Sequence, residues 1–425
     1  MNIFNSFFLL LGKGITYQNC SSFFKDNKIK FDAINTGDVI NSSENLLITK
    51  NKEYSFDEID YVVISPGIGP ENTVVKLLKD NSVKIITDIE IIQSISTTKC
   101  ICVTGTNGKT STVELLSYII NDNDMKALAC GNNGVSVFDS LKQDYDYLII
   151  ELSSYQLEYI NHLKSYISVL LNVSEDHLER HDNISNYLKI KSKIFNDSNF
   201  CIINKDIAFH KNNLLTFGLS DNRLCIDGIN EGILFDSKKL SYKKKCYPIK
   251  GRFQALNISA CLAVCSILRI PVDRVLDILN KKIILQHRQE VINEKNGIKF
   301  INDSKSTNLE STIAALESID ERIILIMGGS KKIMPYENMT EIINQKVKKL
   351  ILIGDNKNYI SDKLIKCKKK IILNNLKEAF DYAISIAIKN DVILLSPGSP
   401  SFDMYDNFEQ RGNHFKSLVK TYVSK

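Results

Sequence analysis

Short, mostly apolar runs recur along this chain, most of them closed by glycine, serine or a charged side chain. Phe7–Leu11, Tyr61–Ile64, Ile101–Val103, Tyr147–Ile150 and Ser168–Val173 are the first of them. Ile298–Ile301, Ile323–Met327, Leu350–Ile353, Ile371–Leu373 and Val392–Leu395 follow. Runs of this length without polar alternation read as strands buried on both faces. Between several of them apolar positions return at helical spacing, as in Val113–Ile120. Such alternation predicts an α/β protein built on doubly wound, mostly parallel sheets. There is no solenoid period and no low-complexity tract.

A chain of 425 residues exceeds one ordinary core. The spacing of the runs suggests three segments, 1–95, 96–284 and 285–425. Apolar and charged fractions of 44% and 24% are those of a soluble globular protein. The net charge of +5 comes from scattered lysines; Lys243–Lys245 and Lys368–Lys370 read as solvated surface rather than a nucleic-acid stripe. Ten cysteines occur without a C-x-x-C pair or zinc spacing, so they are expected as reduced, mostly buried thiols. The apolar run Ile3–Leu11 has no basic leader and is too short to span a bilayer. A cytoplasmic protein with no nucleic-acid or membrane partner is expected.

The chemistry gathers around Gly105-Thr106-Asn107-Gly108-Lys109-Thr110-Ser111, between the run ending at Val103 and a helical segment. Strand, glycine loop and helix in that order let successive backbone N–H groups and the helix N-terminus face an anion. Lys109 reaches phosphates as a point charge, and the Thr110 or Ser111 hydroxyl can ligate Mg²⁺. Val103 replaces the first glycine of the general phosphate-loop pattern, so a plain glycine turn with an incidental lysine is the competing reading. Glu151 follows a hydrophobic strand, as a metal-binding acid does, or else opens a helix. His177 lies in the loop after Ser168–Val173, at the same expected sheet edge. Lys191 falls on the apolar face of Ile184, Tyr187, Leu188, Ile194 and Phe195, whereas Lys189 and Lys193 point away. A core-facing lysine is costly unless paired, neutral or modified; the alternative is a stem that snorkels to water.

The remaining candidates are strand-end loops. Gly12–Thr16 and Ser65–Ile68 suit a phosphate or nucleotide crevice. Gly251–Asn257 opens an Ala- and Cys-rich helix, from which Asn257 could present its amide to a base edge. His287-Arg288, Asp303–Asn308, Gly328–Lys332 and Ser396–Phe402 hold cations and hydroxyls suited to carboxylates and phosphates.

Taken in order, these segments resemble the Mur ligase and folylpolyglutamate synthase superfamily over essentially the whole chain. The carriers are G-T-N-G-K-T-S, Gly131–Gly134, Glu151–Glu158 and Asn172–His177. Asp303–Asn308 and Asn407–Gly412 are similar to the branch of the Mur ligases that adds D-glutamate. The resemblance implies three domains: a Rossmann-like N-terminal domain, a central P-loop-type ATPase domain, and a Rossmann-like C-terminal domain. It implies ATP-dependent joining of D-glutamate to UDP-N-acetylmuramoyl-L-alanine through an acyl phosphate, in peptidoglycan precursor synthesis, by a monomer using Mg²⁺.

Carried over by the resemblance, Ile15, Thr16, Ser65 and Gly67 contact the uridine diphosphate, and Asn132, Ser153 and Gln156 the diphosphate and sugar–peptide. Residues 105–111 bind ATP with Asn257, Arg288, Asp303 and Lys305. Thr110, Glu151, His177 and Lys191, the last as a carbamate, hold metal. Thr307, Lys332, Ser401, Phe402 and Phe408 enclose D-glutamate. Departures are Asn35 where the family usually has an acid, Gly251–Gln254 for its G-x-H-N pattern, and a choice between Lys331 and Lys332. The rival readings are a sister ligase using another amino acid, a P-loop NTPase coupling hydrolysis to conformational change, and an inactive nucleotide-binding module.

Overall fold

A computed structural model describes the chain except residues 1, 44, 212–213, 221–222, 231–232, 236–251, 281–285, 368 and 425. Gly251, Lys243–Lys245 and Lys368 therefore lie outside the described residues. The chain divides into two compact units, residues 1–242 with 256–278, and residues 243–255 with 279–425.

Unit one carries two principal sheets. The first is parallel, in the order Lys30–Ile34, Phe7–Leu11, Tyr61–Ile64, Ile85–Ile86. Phe7–Leu11 and Tyr61–Ile64 coincide with the apolar runs because they pack core on both faces. A small antiparallel sheet of Val39–Ser43, Leu46–Thr49 and Glu53–Ser55 accompanies it.

The second sheet has eight strands, in the order Ile233–Phe235, Arg223–Asn230, Leu214–Ser220, Asp197–Asn204, Lys164–Leu170, Lys99–Thr104, Tyr147–Glu151, Ala127–Gly131. Pairing is parallel from Ala127–Gly131 to Leu214–Ser220 and antiparallel beyond it. From Lys99–Thr104 the chain builds two strands on one side and then returns to the other. Strand order thus reverses at this strand, where open α/β sheets form their ligand crevice. Register sets Glu151 opposite both Val103 and Gly131, and Leu170 opposite Thr104. The ends of three strands therefore open on one edge.

Two expectations are corrected here. The strand expected at Ser168–Val173 runs from Lys164 to Leu170, so Asn172 and Val173 lie in the loop. Its polar residues escape penalty because Ser165 and Ser168 share a hydroxyl hydrogen bond and Ser168 donates to Ile194 O. The helix Ile184–Ser192 tightens into a 3₁₀ turn, Lys193–Phe195, which brings Lys193 inward to donate to Glu158 O at 2.9 Å. Lys193 thus does not point away, while Lys189 does, and Ile184 is on the surface.

The described residues of unit two form one sheet, in the order Glu290–Lys295, Ile298–Asn302, Asp391–Leu395, Arg322–Met327, Val347–Leu352, Lys370–Ile372. It is parallel except for the antiparallel edge strand Glu290–Lys295. Apolar clusters cover both its faces. Among the described residues, eight cysteines are buried and unbridged. No described helix is long and apolar enough to cross a membrane.

Candidate active site

Residues 105–108 form the turn between Lys99–Thr104 and the helix Lys109–Asn121. Gly108 is left-handed at φ +85°, and a Cβ there would collide with the Asn257 amide, so glycine is needed for both reasons. The turn is clamped from the neighbouring loop. Asn107 N donates to Asn172 Oδ1 at 2.8 Å, Asn172 Nδ2 donates to Asn107 O at 2.9 Å, and Thr106 N donates to Asn172 O at 3.0 Å. Lys109 curls back, its Nζ donating to Gly105 O and Thr106 O at 2.8 Å each. Thr110, at the first turn of the helix, is buried; Ser111 is half-buried.

Lys191 lies beneath the same turn, only 1% exposed. Its Nζ donates to Gly105 O at 2.9 Å and Thr104 Oγ1 at 3.5 Å, and sits 4.6 Å over the Tyr187 ring. Burial, then the Lys109 ammonium, hold its pKa well below the ordinary lysine value, against the pull of Asp176 and Glu151. The helical-face reasoning thus finds its buried amine.

Glu151 ends its strand and is buried. Oε1 accepts from Asn132 Nδ2 at 2.9 Å, while Oε2 is buried with no hydrogen-bond partner. Gly131, at φ +98°, leaves no room for a Cβ against Glu151 O, which lets Asn132 N donate to that carbonyl at 3.0 Å. His177 has the left-handed backbone of a loop corner, φ 56°. Its Nδ1 is 2.9 Å from the Tyr155 hydroxyl, and its Nε2 is 3.7 Å from Asp176 Oδ2. Burial pushes the Tyr155 phenol up to about 12, so it stays protonated at neutral pH. Ser153 and Gln156 cap their helix through each other: Gln156 Oε1 accepts from Ser153 N at 2.9 Å, and Ser153 Oγ from Gln156 N at 3.2 Å.

In the first sheet the two strand-end loops meet. A Cβ on Gly12 would lie 2.7 Å from Ser65 Oγ, which is buried without a partner. Ile15 opens the helix Ile15–Asp26 and is 66% exposed beside half-buried Thr16. Exposed Gly67 gives its carbonyl to Arg180 Nη1 at 3.1 Å.

Within unit two, Asp303 is buried, its Oδ2 accepting from Ser396 Oγ at 2.8 Å and Oδ1 from Gln289 N at 3.1 Å. Burial raises its pKa to about 6 against those hydrogen bonds and Arg288. Arg288 Nε and Ser401 Oγ are buried without partners. The Lys305 ammonium lies 4.9 Å over the Phe408 ring. Thr307 and Lys332 are half-buried, Lys331 is exposed, and Phe402 is 73% exposed. Arg411, fully buried, ties the loops together, donating to Ser304 O at 2.9 Å and Ser399 O at 3.1 Å.

Comparison with known proteins gives the family. The Mur ligase middle domain matches residues 103–265, and the Mur ligase glutamate ligase domain residues 287–398. The UDP-N-acetylmuramoylalanine–D-glutamate ligase of Buchnera aphidicola subsp. Acyrthosiphon pisum (strain Tuc7) is 35% identical, with 99% of each chain covered. The chain belongs to the Mur ligase family. A ligase of the same name from Natranaerobius thermophilus is 32% identical over 95% of this chain and 93% of its own. This Mur ligase also has the fold of two Thermotoga maritima structures. One is UDP-N-acetylmuramate-alanine ligase MurC, with TM-score 0.60, 17% identity and 99% of each chain covered. The other is MurF ligase in complex with ADP, with TM-score 0.59, 18% identity, and 99% and 100% covered.

Several residues of this Mur ligase site escaped the sequence reading. Asn172 was quoted in its motif but given no task, because its partner lies 65 positions away. Tyr155 and Arg180 went unassigned for the same reason, their partners lying 22 and 113 positions away. Ser396 sat in a loop singled out for its hydroxyls, and its proximity to Asp303 spans 93 positions.

Proposed function

We infer that this Mur ligase joins D-glutamate to UDP-N-acetylmuramoyl-L-alanine at the expense of ATP, a step of peptidoglycan precursor synthesis. Near-full-length similarity to D-glutamate ligases supports the amino acid. The observation that carries the chemistry is the convergence of Lys109, Lys191 and Glu151 at one switch point, with a Glu151 oxygen left unpartnered. Phosphoryl transfer needs positioned cations and hard-oxygen ligands rather than a nucleophile, and no nucleophile is required of this chain. The γ-phosphoryl group passes to the alanyl carboxylate, releasing ADP. The amine of D-glutamate attacks the acyl phosphate, and the tetrahedral intermediate collapses to amide and phosphate.

Gly105, Thr106, Asn107, Gly108 and Ser111 would present the loop to ATP, with Lys109 on its phosphates and Asn257 beside the turn. Arg288, Asp303 and Lys305 supply nucleotide contacts, and Thr307, Lys332, Ser401, Phe402 and Phe408 the amino-acid pocket. Ile15, Thr16, Ser65, Gly67 and Asn132 are assigned to the sugar nucleotide. Ser153 and Gln156 would reach it from their capping pair. Mg²⁺ fits the donors on hand: the orphaned Glu151 oxygen, the Thr110 hydroxyl, His177, and Lys191 once carbamylated. Bound there, the ion would neutralise charge developing on the transferred phosphoryl group. Three domains, a monomeric state and a cytoplasmic location belong to the same proposal.

Phosphate release from ATP should require both UDP-N-acetylmuramoyl-L-alanine and D-glutamate when a panel of D- and L-amino acids is tried. Release with another amino acid would move the enzyme to a sister activity. Release from ATP alone would favour an NTPase.

A further inference from the structure

Arg411 has the largest side chain wholly buried among the described residues, and it carries a charge. Its Nε donates to Ser304 Oγ at 3.0 Å and its Nη2 to Ser304 O at 2.9 Å. Nη1 donates to Ser399 O at 3.1 Å and to Pro400 O at 3.3 Å. Every partner is thus a carbonyl or a hydroxyl. Among the described residues no carboxylate forms an ion pair with it. Burial lowers its pKa only to about 10, so the guanidinium stays charged at neutral pH. The half-buried Asp403 draws on that charge from beyond ion-pair distance. Dipoles alone leave a buried charge incompletely compensated.

The loop it holds is pinned from other sides as well. Ser399 Oγ accepts from Asn356 Nδ2 at 2.7 Å, and Ser330 N donates to Pro400 O at 2.9 Å. Gly329 permits that approach, since a Cβ there would lie 2.1 Å from Pro400 O. The next hydroxyl along, Ser401 Oγ, is nonetheless buried without a hydrogen-bond partner, on a residue 1% exposed. A fixed loop thus keeps an unused donor one residue beyond the carbonyls that an unneutralised cation holds. An anion would satisfy both. We propose that Arg411 is a positioning and specificity-determining residue: it fixes the 399–401 loop, and its charge selects an amino acid with a carboxylate side chain over the corresponding amide. It acts through the loop and through its field, not by contact with the reacting atoms. This inference rests on the assignment of Ser401 and Phe408 to the amino acid.

Two variants of opposite sign test it. Arg411→Gln removes the charge and keeps an amide donor for the loops. The readout is the ratio of the inhibition constant of D-glutamine to the KM for D-glutamate, two amino acids that differ in one side-chain charge. That ratio should fall about tenfold, with KM for ATP and UDP-N-acetylmuramoyl-L-alanine within about twofold. Asp403→Asn leaves Arg411 in place and removes the opposing carboxylate. There the KM for D-glutamate should fall about threefold and the ratio should rise. A merely structural lesion would raise both constants together. An unchanged ratio in Arg411→Gln, or an unchanged or raised KM for D-glutamate in Asp403→Asn, would overturn the role of the charge. Asp403→Asn decides alone if Arg411→Gln does not fold. Wild-type phosphate release indifferent to D-glutamate would instead overturn the functional reading beneath it.

Discussion

Replacing Lys191 by methionine should stabilise the protein while inactivating it. The amine is almost wholly buried, and the Lys109 ammonium disfavours its charge further. Methionine fills a similar volume without charge. Removing the amine strands neither acceptor: Gly105 O keeps Lys109 Nζ at 2.8 Å, and Thr104 Oγ1 keeps its own bond to Leu152 O at 2.8 Å. The replacement of buried charged groups by apolar ones commonly gains about 1–4 kcal/mol. Against this stands the lost attraction to the Tyr187 ring, about 0.5–2 kcal/mol. A net gain of about 1–2 kcal/mol follows at neutral pH.

The pH dependence has a definite sign. A lysine whose pKa is lowered on folding leaves the unfolded chain holding more protons between the folded value and 10.5. Wild-type stability therefore climbs through that window, and the advantage of Lys191→Met shrinks as pH approaches 10.5. Thermal unfolding of both proteins, in bicarbonate-free buffer at several pH values, reads it directly. A methionine variant less stable at every pH, or an advantage flat in pH, would refute the reasoning. Ligase activity should vanish in Lys191→Met, and in Lys191→Ala excess short-chain carboxylate should restore part of it.

Lys109→Ala should lower phosphate release at least about a hundredfold, since it removes a positioned charge at the transferring group, with the unfolding temperature little changed. Retained turnover would remove the glycine loop from the chemistry. Asp303→Asn should be more stable than the wild type by about 1–3 kcal/mol at pH 7. Burial raises the Asp303 pKa from 3.8 to about 6, so the folded protein binds the extra proton between those values and loses stability as pH rises through them. The difference between the two proteins should therefore fade below pH 4, as urea titrations at several pH values would register.

Much of the framework was legible because it is local. Phe7–Leu11 and Tyr61–Ile64 are buried on both faces, so their character is written residue by residue. Lys164–Leu170 was misplaced because Ser165 and Ser168 are satisfied by each other and by Ile194 O, which hides a buried strand behind polar letters. Lys193 was misdirected because a 3₁₀ turn advances about 120° per residue rather than 100°. Lys191 was found since the helix stays regular up to it.

The order of strand, glycine loop and helix, and the lysine on an apolar helix face, were properties of the sequence alone. Each depends on neighbours within a turn or two of chain. Tertiary structure decided what the sequence offered only on condition of parallel strands, that Thr104, Glu151 and the 171–177 loop share one edge, since that follows from the strand order around Lys99–Thr104. It also decided that Asn172 clamps the loop, that Arg180 spans to residues 66–68, and that one oxygen of Glu151 is left without a partner. Those contacts join positions tens of residues apart, and only packing of the sheets determines which polar groups meet and which are left waiting for a ligand.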